Sequence, residues 1–397
     1  MRKPVATVVA FAAAIASVLW AWRVAIEDLA VAERGERVRS GDRDERVAAL
    51  LELTLLVAAD RSHTSAAVPV AVAAARDADP HVRAQALTTL SDITPRSDAK
   101  VQAIAERMLR GSLTDDAAVV RHAAAGGLQR LGLRLVDVRR TLLELARVSD
   151  DLATRVMALR DLSSMEGERD EARLVAREAF GDSDPSVRAV AVETLGSWLG
   201  EEPELADFVM RGLEDSAPGV RQAASRMLRQ HANPGRELLP RLVGLLEHED
   251  ELVSTTAAAA MANMGAEAKS AAPELLRRQM RGSAEGEPQR NWLSEYVSAL
   301  ARVAPEGPEA VAAMRGLIAM VREGRPELRP VAAVLLSEFG AYAVDALPEL
   351  RKASGSGDER MRRAAAASVS RIESAKRGAG ERMDATEPAQ DQPMVRP

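Results

Sequence analysis

Asp184-Pro185-Ser186-Val187-Arg188, followed by Ala191 and Leu195, decides the fold because the chain keeps repeating it. Asp79-Pro80-His81-Val82-Arg83 leads into Ala86 and Leu90, and Pro218-Gly219-Val220-Arg221 leads into Ala224 and Leu228. With the arginine as register mark, the series runs Arg46, Arg83, Arg121, Arg155, Arg188, Arg221, Ser254, Leu293, Arg329 and Arg362, at intervals of 33 to 39 residues. A period of this length belongs to stacked repeats rather than to one closed core.

Each register mark is followed by a helical stripe. Three residues on stands a small residue (Ala49, Ala86, Ala124, Ala158, Ala191, Ala224, Ala257, Ala332, Ala365), except in the eighth unit, where Tyr296 takes the place. Four residues further on stands a bulky apolar one: Leu53, Leu90, Leu128, Leu162, Leu195, Leu228, Met261, Leu300, Leu336 and Val369. Residues four apart share one helix face, so the small residue admits a neighbouring helix and the large one fills the layer beside it. Helix starts are legible too. Asp79, Asp151, Asp184, Asp250 and Asp358 sit four before the register mark, where a carboxylate accepts from free backbone N–H groups and suits the helix dipole. Pro80, Pro185, Pro218 and Pro326 sit three before it, a first helical position that has no N–H bond to lose.

A first helix precedes each start. Helical periodicity runs through 101–109, 138–148, 172–180, 205–213, 238–246, 275–280 and 311–321, and nothing alternates as a strand would. The fold class is therefore all-α, an α-solenoid of about ten helix–turn–helix units whose stacking builds a continuous core.

The pattern resembles the HEAT repeat, in its short, lyase-like bacterial form. Gly265-Ala266-Glu267-Ala268-Lys269-Ser270-Ala271-Ala272-Pro273-Glu274-Leu275-Leu276 and Gly340-Ala341-Tyr342-Ala343-Val344-Asp345-Ala346-Leu347-Pro348-Glu349-Leu350 carry the likeness best, with a glycine ending one unit and a proline inside the next unit's first helix. The likeness covers residues 25–375. It implies Asp–Arg pairing between turns and a protein-binding role. The same resemblance includes bilin lyases, so an enzyme or enzyme subunit is the alternative. The Trp-Leu-Gly and Tyr markers of tetratricopeptide repeats do not recur.

The two ends differ from the middle. Arg2 and Lys3 precede an uncharged run, Pro4 to Trp22, closed by Trp20 and Trp22. Nineteen such residues just cross a bilayer, the cations favour a cytoplasmic N-terminus, and the tryptophans suit an interfacial belt. Residues 1–24 are thus expected to be a membrane anchor, with the repeats facing the periplasm from the inner membrane. A cleaved signal, giving a secreted or periplasmic protein, fits less well, because Ala30-Val31-Ala32 lies beyond Arg23, Glu27 and Asp28. Residues 376–397, rich in Gly, Pro and Gln, are expected to form a disordered tail.

The composition excludes several chemistries. Cysteine is absent, which removes disulfides, thiolate metal sites and cysteine nucleophiles. Net charge is −6 and aromatics are 3%, which speaks against a basic, stacking nucleic-acid groove. His63, His81, His122, His231 and His248 show no His-Glu-X-X-His spacing, and no phosphate loop or nucleophile elbow occurs. No catalytic, metal or cofactor residue is assigned, and the partner expected is a protein.

The arginine ladder reads as turn-to-turn pairing rather than as a ligand groove. Positions one and five after the register mark (Val47, Ala84, His122 and onward; Leu51, Thr88, Gly126, Arg160 and onward) share no one chemistry. The eighth unit is the most irregular, with Trp292 and Leu293 at the valine–arginine pair and Tyr296 at the small-residue place. Arg290, Asn291, Trp292 and Tyr296 are therefore the candidate partner contact, the other reading being that large residues there compensate for the small ones of unit seven.

Overall fold

The computed structural model describes residues 29–384 apart from 96, 134–135, 166–169, 200–201, 231–234 and 285–289. The expected anchor at 1–24 and the end of the chain, 385–397, lie outside the described residues. No described helix is long and apolar enough to cross a membrane. The chain divides into two compact units, Met1–Thr194 and Leu195–Pro397.

All regular structure among the described residues is helical. In the first unit the second helices of successive repeats are Arg43–Ala59, Pro80–Ile93, Ala118–Arg130 and Leu152–Ser164, each packed on the next. Their first helices, Thr64–Ala74, Ala99–Ser112, Val136–Val148 and Asp170–Ala179, form the other layer. The second unit repeats the scheme with Pro218–Gln230, Glu251–Met264, Arg290–Val303, Arg329–Glu338 and Glu359–Asp384 against Ala206–Leu213, Leu239–Leu245, Ala272–Ala284, Pro308–Glu323 and Leu347–Ala353.

The core follows the register. The alanines three after each mark are fully buried, as are the leucines at the following position, each burial removing about 1.5–3 kcal/mol worth of leucine side chain from water. Val369 is only half-buried, and Ile372 and Ser368 take the inner place on that last helix. Glu359–Asp384 runs past the expected boundary at 375 without a break in its backbone, consistent with a stretch that holds no proline before Asp384.

All five expected aspartate caps are present. Asp79, Asp151, Asp184, Asp250 and Asp358 accept from the backbone N–H of His81, Thr154, Ser186, Leu252 and Arg360 at 2.7–3.0 Å. Pro80, Pro185 and Pro218 open their helices as expected. Pro326 does not: Arg329 N–H closes a single turn on the Arg325 carbonyl, but Pro330 has no N–H to give the next carbonyl, and the regular helix starts at Arg329. At the two HEAT-like segments, Gly265 and Gly340 have φ of 57° and 53°, a left-handed conformation that lets one helix stop and a 3₁₀ segment begin.

A second device was not foreseen. In seven repeats the residue six before the register mark folds the turn by accepting from the cap residue's own N–H. Asp77 receives Asp79, Asp115 receives Ala117, Asp182 receives Asp184 and Asp215 receives Ala217, at 2.8–2.9 Å. Ser149, Ser356 and the Nδ1 of His248 do the same in other repeats. The register arginines lock onto these turns. Arg83 donates from Nη1 to the carbonyls of Asp77 and Ala78 in its own turn, and from Nε and Nη2 to both carboxylate oxygens of Asp115 in the next repeat, at 3.0 and 2.7 Å. Arg121, Arg188 and Arg221 bond their own turns alike. Arg46 reaches Asp77, and Arg155 reaches Asp182. Arg221 reaches Asp250, the cap itself, because His248 occupies the usual aspartate place. Arg46, Arg83, Arg155 and Arg221 are inter-repeat joints, as the pairing reading expects, and for the first three the partner is the aspartate two residues before the cap.

Burial alone would push the Asp115 carboxyl up. The bond from Arg83, the Ala117 N–H and the charges of Arg83 and Arg121 outweigh it and hold the group below the usual carboxylate range. A depressed folded-state value adds stability that is fully present above the ordinary carboxyl value of about 3.9 and is lost as pH falls through the lower folded value. The urea midpoint of the full chain should therefore drop in this acid window, and Asp115→Asn should flatten that part of the profile while lowering the midpoint at neutral pH. An unchanged acid profile in Asp115→Asn would contradict the assignment. Arg83→Ala should cost about 1–2 kcal/mol in the same assay, discounted for partial exposure, and Arg83→Lys should not recover it, since an ammonium cannot span both carboxylate oxygens and the turn carbonyls.

Candidate functional site

With register arginines engaged in these joints, the outward face of the second helices is one surface open to function. In the first unit this face holds a groove of about 480 Å³. Positions one and five after the register mark line it: Val47, Ala84, Thr88, His122, Gly126 and Arg160, together with His81, Gln85, Met157 and Asp161. Helical repetition alone brings these together, since equivalent positions of stacked helices fall side by side.

The groove's polar groups are arranged by cross-repeat bonds. His122 Nε2 lies 2.9 Å from Asp161 Oδ2, joining the third repeat to the fourth. Arg130 donates from Nε and Nη2 to Ser91 Oγ at 3.0 and 2.8 Å and lies 3.2 Å from Asp92. Arg160 is held loosely, 3.6 Å from Glu193. Gly126 and Gly127 divide the work at the centre. A Cβ on Gly126 would meet only Arg130 and Asp161, at 3.5 Å or more, so this residue keeps the groove deep. A Cβ on Gly127 would come within 2.5 Å of the buried Leu109, so this residue lets the helices approach.

Of the eighth unit's candidate contact residues, Tyr296 alone has a described side chain, and its place fits the reading in which large residues compensate for small ones. Tyr296 is only 1% exposed and is the largest fully buried side chain in the described core. It occupies the inward place that alanine holds elsewhere and so offers no surface to a partner. The side chains of Arg290, Asn291 and Trp292 lie outside the described residues. Beside Tyr296, Glu295 accepts from Arg229 at 3.0 Å, and Arg229 also donates to Thr255 and Thr256. The arginine thus crosses the seventh repeat, whose small residues leave it room, and ties the sixth repeat to the eighth.

Of the histidines, His81 and His122 meet in the groove, His63 is buried, His248 serves its turn and His231 is outside the described residues. Among the described residues no group of three or more His, Asp or Glu side chains is placed to hold a metal ion. The His122–Asp161 pair spans 39 residues, and only the repeat offset between neighbouring outward positions could have signalled it.

A family model described as HEAT repeats matches residues 138–229 and 209–291. The chain carries HEAT repeats over residues 138–291. No curated protein matches it. Among solved structures, importin beta is similar at 15% identity and a TM-score of 0.55, over 87% of this chain and 55% of that one. An engineered protein matches at 19% identity and a TM-score of 0.49, over 87% of this chain and 99% of its own. The karyopherin Kap121p, in a structure with the SUMO protease Ulp1p, matches at 15% and 0.49, over 86% and 45%. The chain thus spans about half the length of these two solved chains, and the likeness is one of fold.

The paired glycines give opposite expectations. Gly126→Ala should leave stability unchanged or raise it by up to about 1 kcal/mol, the helix propensity difference. Gly127→Ala should lower it by about 1–3 kcal/mol through overpacking against Leu109. Thermal denaturation of the two variants checks this, and equal effects would place the groove and the core on the wrong sides of the helix.

Proposed function

We propose that the protein is a non-enzymatic scaffold that binds a protein partner, tethered to the membrane by residues 1–24 with the repeats on the periplasmic side. The observation that supports this reading is a division of labour within the repeat. Inward and turn positions recur from unit to unit, whereas outward positions vary: Leu51, Thr88, Gly126, Arg160 and Glu193 occupy one equivalent place. A periodic core with an aperiodic face is what recognition of an irregular surface requires, because each repeat can change its outward residues without disturbing the stack. The HEAT fold is widely used in this way. The apolar run from Pro4 to Trp22, with its flanking cations and tryptophans, supports the tether.

Crosslinking of the full chain in native membranes, followed by titration with the purified captured protein, tests the binding role. Saturable binding is the expected result; turnover of a small molecule by the full chain without any saturable protein contact would contradict it. For the tether, the full chain should resist alkaline extraction from membranes, and the double variant Ala13→Arg, Ile15→Arg should be extracted, given a cost of about 2.5–3.5 kcal/mol per arginine at mid-membrane. Equal extraction of both would remove the tether from the account.

A further inference from the structure

We infer that the groove over the second, third and fourth repeats binds an acidic, amphipathic peptide segment of a partner protein, carboxylates on Arg130 and Arg160 and aliphatic side chains along the first repeat. This rests on the scaffold reading and adds to it a place and a partner chemistry.

Charge complementarity carries the choice of occupant. The chain as a whole is acidic, at −6, yet the groove lining holds two arginines against one carboxylate, Asp161, which His122 already engages, while Asp92 and Glu193, each beside one of the arginines, lie outside that lining. Arg160 has 62% of its side chain exposed and only the 3.6 Å contact to Glu193 to give up, so its guanidinium can receive a carboxylate as a fork. Arg130 keeps Nε and Nη2 on Ser91, and this fixes its remaining Nη1 over the open floor at Gly126.

The apolar half comes from the first repeat. Val47 lines the groove, and Leu51 occupies the outward place equivalent to Thr88, Gly126 and Arg160. Leu55 follows one turn later on the same helix face. Leu51 is 48% and Leu55 69% exposed, with Met157 at 48% on the far side of the groove. An aliphatic stripe beside paired cations fits a helix with aliphatic residues on one face and Asp or Glu on the next. The lining includes no aromatic ring on which a base could stack, so a nucleic acid is disfavoured.

Selection of a random-peptide display library on the full chain is the direct test. Enriched peptides should combine Asp or Glu with Leu, Ile, Met or Phe at helical spacing. Their affinity should fall about tenfold or more in Gly126→Trp, which plugs the floor where a Cβ meets no obstacle, and in Arg160→Glu, an exposed reversal that leaves the core alone. Enrichment of basic peptides, displacement by a single-stranded oligonucleotide, or failure to enrich any peptide would overturn the inference. Acidic peptides that bind both variants undiminished would overturn the groove while leaving the scaffold reading intact, since the captured-protein titration judges that separately.

Discussion

The joint between one repeat's arginine and the next repeat's turn is the constraint on which the rest of this structure depends. A helical hairpin of this size cannot bury both its faces alone, so each repeat is stable only when the next is held in register. Apolar contact between alanine and leucine stripes supplies most of the favourable free energy, but it is tolerant of sliding and rotation. The guanidinium is not. Arg83 meets two turn carbonyls behind it and both oxygens of Asp115 ahead of it, a planar pattern satisfied in one placement of the neighbouring helix. Register is therefore fixed at the rim of the stack, by polar groups that are partly exposed, while the core stays uniformly small and aliphatic.

This arrangement frees the outward face. Because folding information sits in the turn and in the inward stripe, the positions one and five after the register mark can differ in every repeat. In the first unit they assemble into a groove whose polar side chains are themselves bridged across repeats: His122 to Asp161, Arg130 to Ser91 and Arg160 toward Glu193. The bridges pre-position the donors, which lowers the ordering cost of binding. In the second unit Arg229 crosses Thr255 and Thr256 to Glu295, another bridge between repeats built from outward residues.

Much of this was legible in the chain itself. The period, the helix pairs, the five aspartate caps and the structural role of the arginines follow from spacing and from elementary hydrogen-bond needs. What escaped is instructive in physical terms. The aspartate six before the mark was visible as Asp77, Asp115, Asp182 and Asp215, but it is replaced by Ser149, Ser356 and His248, which share only an acceptor atom and not a residue type. Tyr296 drew attention as an aromatic, yet its place three after the register mark faces inward in every repeat, and that place outweighs its type. The groove itself depends on outward residues 37 or 38 apart lying side by side, as Val47, Ala84 and His122 do, and no local pattern marks them as neighbours.

A double-mutant cycle on Arg83 and Asp115, read from urea denaturation of the full chain at neutral pH, tests the central claim most directly. If the arginine is a joint between repeats, the two alanine substitutions should be strongly non-additive, with a coupling of about 0.5–3 kcal/mol. Additive effects would mean that the repeats are registered by their apolar stripes alone and would return the arginine ladder to the surface as a set of groups awaiting a ligand.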